Sequence, residues 1–171
     1  MFKPGQPIPR ILDVEGLPPD HVRVDWDDGG MNEINLAGWI AANDLHGTLG
    51  DASRWADIRV INYGTALQWG DDDDCVIDNL HLRMLADEQQ DLTPADLVRW
   101  QEAMQVSNQE AADLIGVRVS TWHNYKCGQT RIPKGTQIGL RAVLKDPLVF
   151  EAHYRPRRPG RPVRAAGNGA A

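Results

Sequence analysis

Residues 107–128, SNQEAADLIGVRVSTWHNYKCG, constrain the fold of this 171-residue chain more than any other stretch. They carry the start and stop signals of two short helices with a tight turn between them. Ser107 can cap the first free N–H groups of a helix, and Glu110, three residues later, can cap it in return. Ala111, Ala112, Leu114 and Ile115 supply an apolar stripe of helical spacing, and the two alanines are small enough to let another helix come close. Gly116 can take the left-handed conformation that ends a helix, which costs a residue with a Cβ more. A second helix is predicted over residues 119–127, with Gly128 as its stop. Trp122 and Tyr125 are three apart and share its inner face. That leaves Ser120, His123 and Asn124 pointing outward, with Val119 beside them at the exposed N-terminal end.

The flanks extend this pair into a bundle. Thr93 and Pro94 are a helix cap and a first helical residue, and Leu97, Trp100 and Met104 form the stripe behind them. A fourth helix is predicted over residues 136–144, and a short fifth from Asp146-Pro147 to about Tyr154. Residues 89–154 therefore read as an all-α domain. Residues 1–88 read as an α+β domain. His21 to Trp26 alternates, with Val22, Val24 and Trp26 on one face, and Asp27-Asp28-Gly29-Gly30 is a hairpin turn returning through residues 31–36. Residues 58–62 and 65–69 flank a second turn at Tyr63-Gly64. Residues 11–14 alternate weakly, residues 36–42 look helical, and residues 47–52 look like a loop or short turn. Asp78 caps a short helix over residues 78–86. The expected product is one antiparallel sheet of four or five strands with one or two short helices. Residues 87–91 serve as a linker or as the tail of that helix.

Charge divides along the same line. Residues 1–90 hold 6 basic and 17 acidic residues, net −11, whereas residues 91–171 hold 12 and 7, net +5. Such a split implies different partners for the two halves. From Arg118 to Lys145 there are six basic residues and no acidic one. Over residues 91–154, however, seven basic residues balance seven acidic ones. Residues 155–171 carry five arginines and three prolines and are expected to be disordered. Within them Arg158-Pro159-Gly160-Arg161-Pro162 is only loosely like a minor-groove AT-hook, because Pro159 separates arginine from glycine.

No catalytic constellation is present. The five histidines show no zinc-ligand spacing, no glycine-rich phosphate loop occurs, and Ser53, Ser107 and Ser120 lack a nucleophile-elbow context. The run Asp71 to Asp74 lacks the alternate ligand spacing of a calcium loop and reads as a solvated turn. No enzyme activity, cofactor or metal is expected. Cys75 and Cys127 make neither a disulfide framework nor a metal motif. With no long apolar run and no signal-peptide stretch at the N-terminus, a cytoplasmic protein without membrane partners is expected.

The spacing of Ala112, Gly116, Trp122, Tyr125, Gly128 and Ile132-Pro133 resembles the helix-turn-helix of the lambda-repressor-like family of bacterial DNA-binding proteins, over about residues 92–154. The chain departs from the family at Arg118, where Ser or Thr usually caps the second helix, at Asn108, where Gln is frequent, and at the large Trp122. The resemblance implies a transcriptional regulator whose second helix enters the major groove of double-stranded DNA. Ser120 and Asn124 would read base edges, Val119 a thymine methyl, and His123 either base or phosphate. Arg118, Lys126 and Arg131 would hold phosphates, with Asn108 and Gln109 on the preceding helix. A homodimer is implied, because one such helix gives little specificity.

The segments Val22 to Gly29, Leu49-Gly50-Asp51, Trp55 to Val60, Gly64 to Trp69 and Ile77 to Leu80 look like a small bacterial domain family of unknown function, over about residues 10–86. Some of its members are fused to a helix-turn-helix, and some lie beside small toxin-like genes. The acidic half would then supply the dimer interface. Alternatively the chain is an antitoxin-like interaction module whose N-terminal half binds a small basic protein.

Overall fold

The computed structural model describes residues 7–71 and 75–157. The chain divides into two compact units, Met1–Gln90 and Asp91–Ala171, and mixes antiparallel sheet with helix.

In the first unit, β1 (Ile11–Leu17), β2 (His21–Trp26) and β3 (Met31–Asn35) form a three-stranded antiparallel sheet in that order. The alternation of β2 puts Val22, Val24 and Trp26 into the core opposite Ile34 of β3. The turn closes through Gly29, at φ 82°, whose N–H donates to the Trp26 carbonyl at 3.0 Å. Arg83 lies over the Trp26 ring at 5.3 Å and pairs with Asp28 at 3.3 Å, fastening the hairpin from outside.

Then follow α1 (Ala37–Ala42), α2 (His46–Leu49), a 3₁₀ turn (Ala52–Asp57) and a second sheet, β4 (Ile58–Ile61), β5 (Ala66–Trp69) and β6 (Val76–Asp78). Helix α3 (Asn79–Gln89) closes the unit, its first turn capped by Asp78, which accepts from the His81 N–H. Trp69 is the centre of the packing, stacked on Trp39 at 5.7 Å and met edge-on by Trp55 at 5.8 Å. Gly16 is where β1 crosses the 3₁₀ turn; a Cβ there would run into the Trp55 carbonyl.

One expectation needs correction. The strands make two three-stranded sheets and not one sheet of four or five, because the helical stretch 37–57 separates β3 from β4. Within residues 47–52 lies the end of α2, held by burial of Leu49 and by the Trp55 indole donating to its carbonyl. Of the two readings of residues 87–91, the helix tail holds for 87–89, which belong to α3: the Gln89 amide both accepts from and donates to the Asn35 backbone, at 2.8 and 2.7 Å. The Asp71 to Asp74 run lies largely outside the described residues.

The second unit holds α4 (Pro94–Met104), α5 (Asn108–Leu114), α6 (Val119–Lys126), α7 (Lys134–Lys145) and α8 (Pro147–His153) and, among the described residues, no strand. Capping boxes start α4, between Thr93 and Asp96, and α5, between Ser107 and Glu110. Gly116 and Gly128 follow α5 and α6 at φ 71° and 70°, so both predicted stops are left-handed. No side chain caps α6 at Arg118. Leu97, Trp100, Ala111, Ala112, Trp122 and Leu140 form the centre of the core. Among the described residues no helix is long and apolar enough to cross a membrane.

Candidate nucleic-acid interface

Helix α6 is gripped from behind by aromatic packing. Trp122 is fully buried and meets Trp100 of α4 edge-on at 5.8 Å; Tyr125 is buried one turn on. The Trp100 indole N–H donates to the Leu140 carbonyl at 2.9 Å, which ties α4 to α7. Gln101 completes the hold: its Oε1 accepts from the Trp122 indole at 3.2 Å and from Lys126 at 2.8 Å, while its Nε2 donates to the Val106 carbonyl at 3.0 Å.

With that face fixed, Arg118, Ser120 and His123 are exposed and Asn124 is half-buried beside them. The spacing 120, 123, 124 places three polar side chains on one outward face. Among the described residues, none bonds the side chains of Arg118, Ser120, His123 or Asn124. The surface continues past the helix end through exposed Cys127, Gln129 and Thr130.

Other predicted site residues are placed differently. Val119 is half-buried and packs against the core, so only part of it faces outward. Lys126 reaches inward, donating to Gln101 and to Asn108 Oδ1 at 3.0 Å; its ammonium fastens α6 to α4 and α5. Gln109 donates to Asp113 at 3.1 Å. Arg131 pairs with Asp91 at 2.9 Å while its side chain stays 85% exposed, a pairing weak enough for solvent or another anion to replace. Asp91 in turn accepts from Gln137, and these two bonds hold its carboxyl below the usual range.

The structure adds a contact that the sequence reading lacks. Tyr154 stacks on Phe150 at 4.7 Å, and its hydroxyl donates to Glu110 Oε1 at 2.8 Å. The Arg157 N–H donates to the same oxygen at 3.2 Å, and its Nε donates to Asp113 at 2.8 Å. Arg155 donates to the carbonyls of Ala152 and Tyr154. The expectation of disorder from residue 155 is thus corrected for residues 155–157: Arg155 is bonded to the carbonyls of residues 152 and 154, and Arg157 is held on α5 by charge and hydrogen bonds. The AT-hook-like stretch lies outside the described residues.

These bonds set the charge of α5. The Ser107 hydroxyl and backbone N–H, then Tyr154 and Arg157, hold the Glu110 carboxyl down to about 2 from its ordinary 4.5. Arg157 and then Gln109 lower Asp113 likewise. Because the folded-state value is depressed, Glu110 contributes its full stabilisation above about 4.5 and loses it as pH falls through about 2. An NMR titration of the Glu110 carboxyl should show that low midpoint. Tyr154→Phe should raise it while leaving it below 4.5, since the Ser107 bonds remain. A midpoint unmoved by that change would mean that the hydroxyl does not bind Glu110 in solution.

No family model matches the chain, and no curated protein sequence matches it. A solved structure from Nitrosomonas europaea ATCC 19718, named "Putative DNA Binding Protein", is similar over 88% of this chain and 94% of its own, at 20% identity and a TM-score of 0.44.

Proposed function

We propose that the second unit is a lambda-repressor-like helix-turn-helix domain that binds double-stranded DNA, with α6 in the major groove, and that the chain is a transcriptional regulator. One observation carries the reading: the side chains of Arg118, at the start of α6, and of Ser120, His123 and Asn124 on it lie on its outer side, bonded by none of the described residues, while the opposite face is locked into the core. A helix presented in this way can bring Ser120 and Asn124 to base edges, with Asn suited to a bidentate pair with adenine. Arg118, at the helix start, is placed for a phosphate, and Arg131 can exchange its exposed carboxylate partner for one. Lys126, Asn108 and Gln109 serve the fold first, through their internal bonds.

The test is selection from random duplexes followed by gel shift at low salt. A selected sequence should emerge, and Arg118→Ala with Asn124→Ala should weaken binding to it. Loss of one bidentate base pair is worth about 1–3 kcal/mol, or roughly 5- to 150-fold. No binding at low salt, or equal binding by the double variant, overturns the reading. A dimer on DNA should select two half-sites about 34 Å apart, and light scattering on the full chain reads its state directly.

A second reading is supported by the first unit. It is net −11 over residues 1–90, and it presents Tyr63, 93% exposed, on a turn where Asn62 and Tyr63 both hold positive φ. Non-glycine residues in that region carry strain that functional surfaces tolerate. An antitoxin-like role, with this unit binding a small basic protein, is compatible with DNA binding. Co-purification with the product of a short adjacent reading frame would support it, and loss of that co-purification in Tyr63→Ala would place the contact.

A further inference from the structure

We infer that one end of the first unit is a docking surface for a basic amphipathic segment of a partner protein, with large apolar side chains along one side and lysine or arginine beside them. The inference rests on the antitoxin-like reading above and names the face and the chemistry of its contact.

The start of β1, the β2–β3 hairpin, the turn between β4 and β5 and the start of α3 meet at this end and are tied to one another. The Asp27 N–H donates to the Arg10 carbonyl, and Asp27 Oδ1 accepts from the Arg10 N–H, both at 2.9 Å. Asn79 donates from its side chain to the Pro9 carbonyl and from its backbone to the Thr65 carbonyl, again at 2.9 Å. Gly64 lies so close to β1 that a Cβ would meet the Ile11 carbonyl oxygen at 2.6 Å. Arg83 reaches from α3 to Asp28.

Every large apolar side chain exposed among the described residues of this unit lies on or beside those segments: Ile8, Leu12, Met31, Tyr63, Leu80 and Met84. Leu12 sits where the β1–β2 register shifts between Ile11 and Asp13, and that bulge leaves its side chain 66% exposed. Leu80 and Met84 are one turn apart on the outer side of α3. Exposed apolar residues scattered singly need no explanation; six gathered at one end mark an interaction surface.

Charge selects the occupant. Asp13, Asp25, Asp27, Asp28 and Asp78 stand exposed around these side chains. Against them are Arg10 and Arg83, and Arg83 is engaged by Asp28, Asp87 and the Trp26 ring. Residues 1–90 are net −11, so a second copy of this chain would bring the same carboxylates to the contact and be repelled, whereas a basic segment is attracted. An amphipathic helix supplies the apolar side that the six residues require.

The experiment titrates the isotope-labelled full chain, by NMR, with synthetic helical peptides: leucine on one side and lysine on the other, the same leucines with glutamate, and the same lysines with serine in place of leucine. The leucine–lysine peptide alone should bind, moving amides within residues 8–12, 25–31, 62–65 and 78–84. Raising salt from about 0.05 to 0.5 M should weaken that binding. Leu12→Ser with Met84→Ser should weaken it about tenfold or more. Ile138→Ser, exposed in the second unit, should leave it unchanged. No binding, shifts elsewhere, or equal binding by the glutamate peptide overturns the surface. A full chain that light scattering finds dimeric, and that Leu12→Ser with Met84→Ser makes monomeric, gives this end to a second copy and overturns the basic partner. If the product of the adjacent reading frame still co-purifies with that double variant, the antitoxin-like reading stands and this end is overturned as its site. If the wild-type chain neither binds the peptide nor retains that product, the reading and the surface fall together.

Discussion

Trp122→Ala should cost the second unit about 3–5 kcal/mol, the range for deleting a buried aromatic from a core. Trp122 is fully buried, packs edge-on against Trp100 and donates its indole N–H to Gln101. An alanine removes the ring, leaves a cavity between α4 and α6, and strands part of the Gln101 acceptor capacity. Against a net stability of about 5–15 kcal/mol for a typical domain, the loss is large enough to populate unfolded bundle. Hydrogen exchange of the full chain, read peptide by peptide, should show amides of residues 94–145 losing protection. A measured loss under about 1 kcal/mol would show that Trp122 does not fill the core.

Gln137→Glu should be about as damaging, by a different route. Gln137 is 1% exposed, and its amide is fully used: Oε1 accepts from the Leu92 N–H at 2.9 Å, and Nε2 donates to the Ile132 carbonyl at 2.9 Å and to Asp91 at 3.1 Å. The substitution keeps the shape but turns both donations into repulsions and buries an uncompensated charge, at a cost of about 3–5 kcal/mol. Burial and the Asp91 carboxylate raise the pKa of the introduced carboxyl. In its protonated form that carboxyl regains one donor. The deficit relative to wild type, followed by urea unfolding, should therefore shrink as pH falls from 7 towards 5. A deficit independent of pH would show that steric misfit, and not charge, is responsible.

Much of this was legible because the informative signals are local. The Thr93 cap, the box at Ser107, the Asp78 cap, the glycines at 116 and 128, and the turns at 27–30 and 63–64 each involve residues a few positions apart, so a single window of sequence contains the physics. The illegible parts are long-range. β6 has only three residues and runs straight into the Asp78 cap, so it resembles the lead-in to a helix until β5 is beside it. Lys126 looks like a surface cation, and only the approach of α4 and α5 turns it inward. The bond from Tyr154 to Glu110 spans 44 positions and leaves no local trace. Two residues could have been found. Gln101 falls on the stripe 97, 100, 101, 104 and Gln137 on the stripe 137, 140, 143, polar residues at apolar positions, which signals a buried hydrogen-bond hub.

Gln101 has one more implication. A single amide on α4 receives the Trp122 indole from the middle of α6 and the Lys126 ammonium from its end. The tilt of α6 is therefore set from the rear, by a residue on the side away from Ser120 and His123. Selection or design could re-aim α6 by altering position 101 alone, leaving every outward side chain unchanged; on the DNA-binding reading proposed above, two proteins with identical outward faces could then prefer different targets.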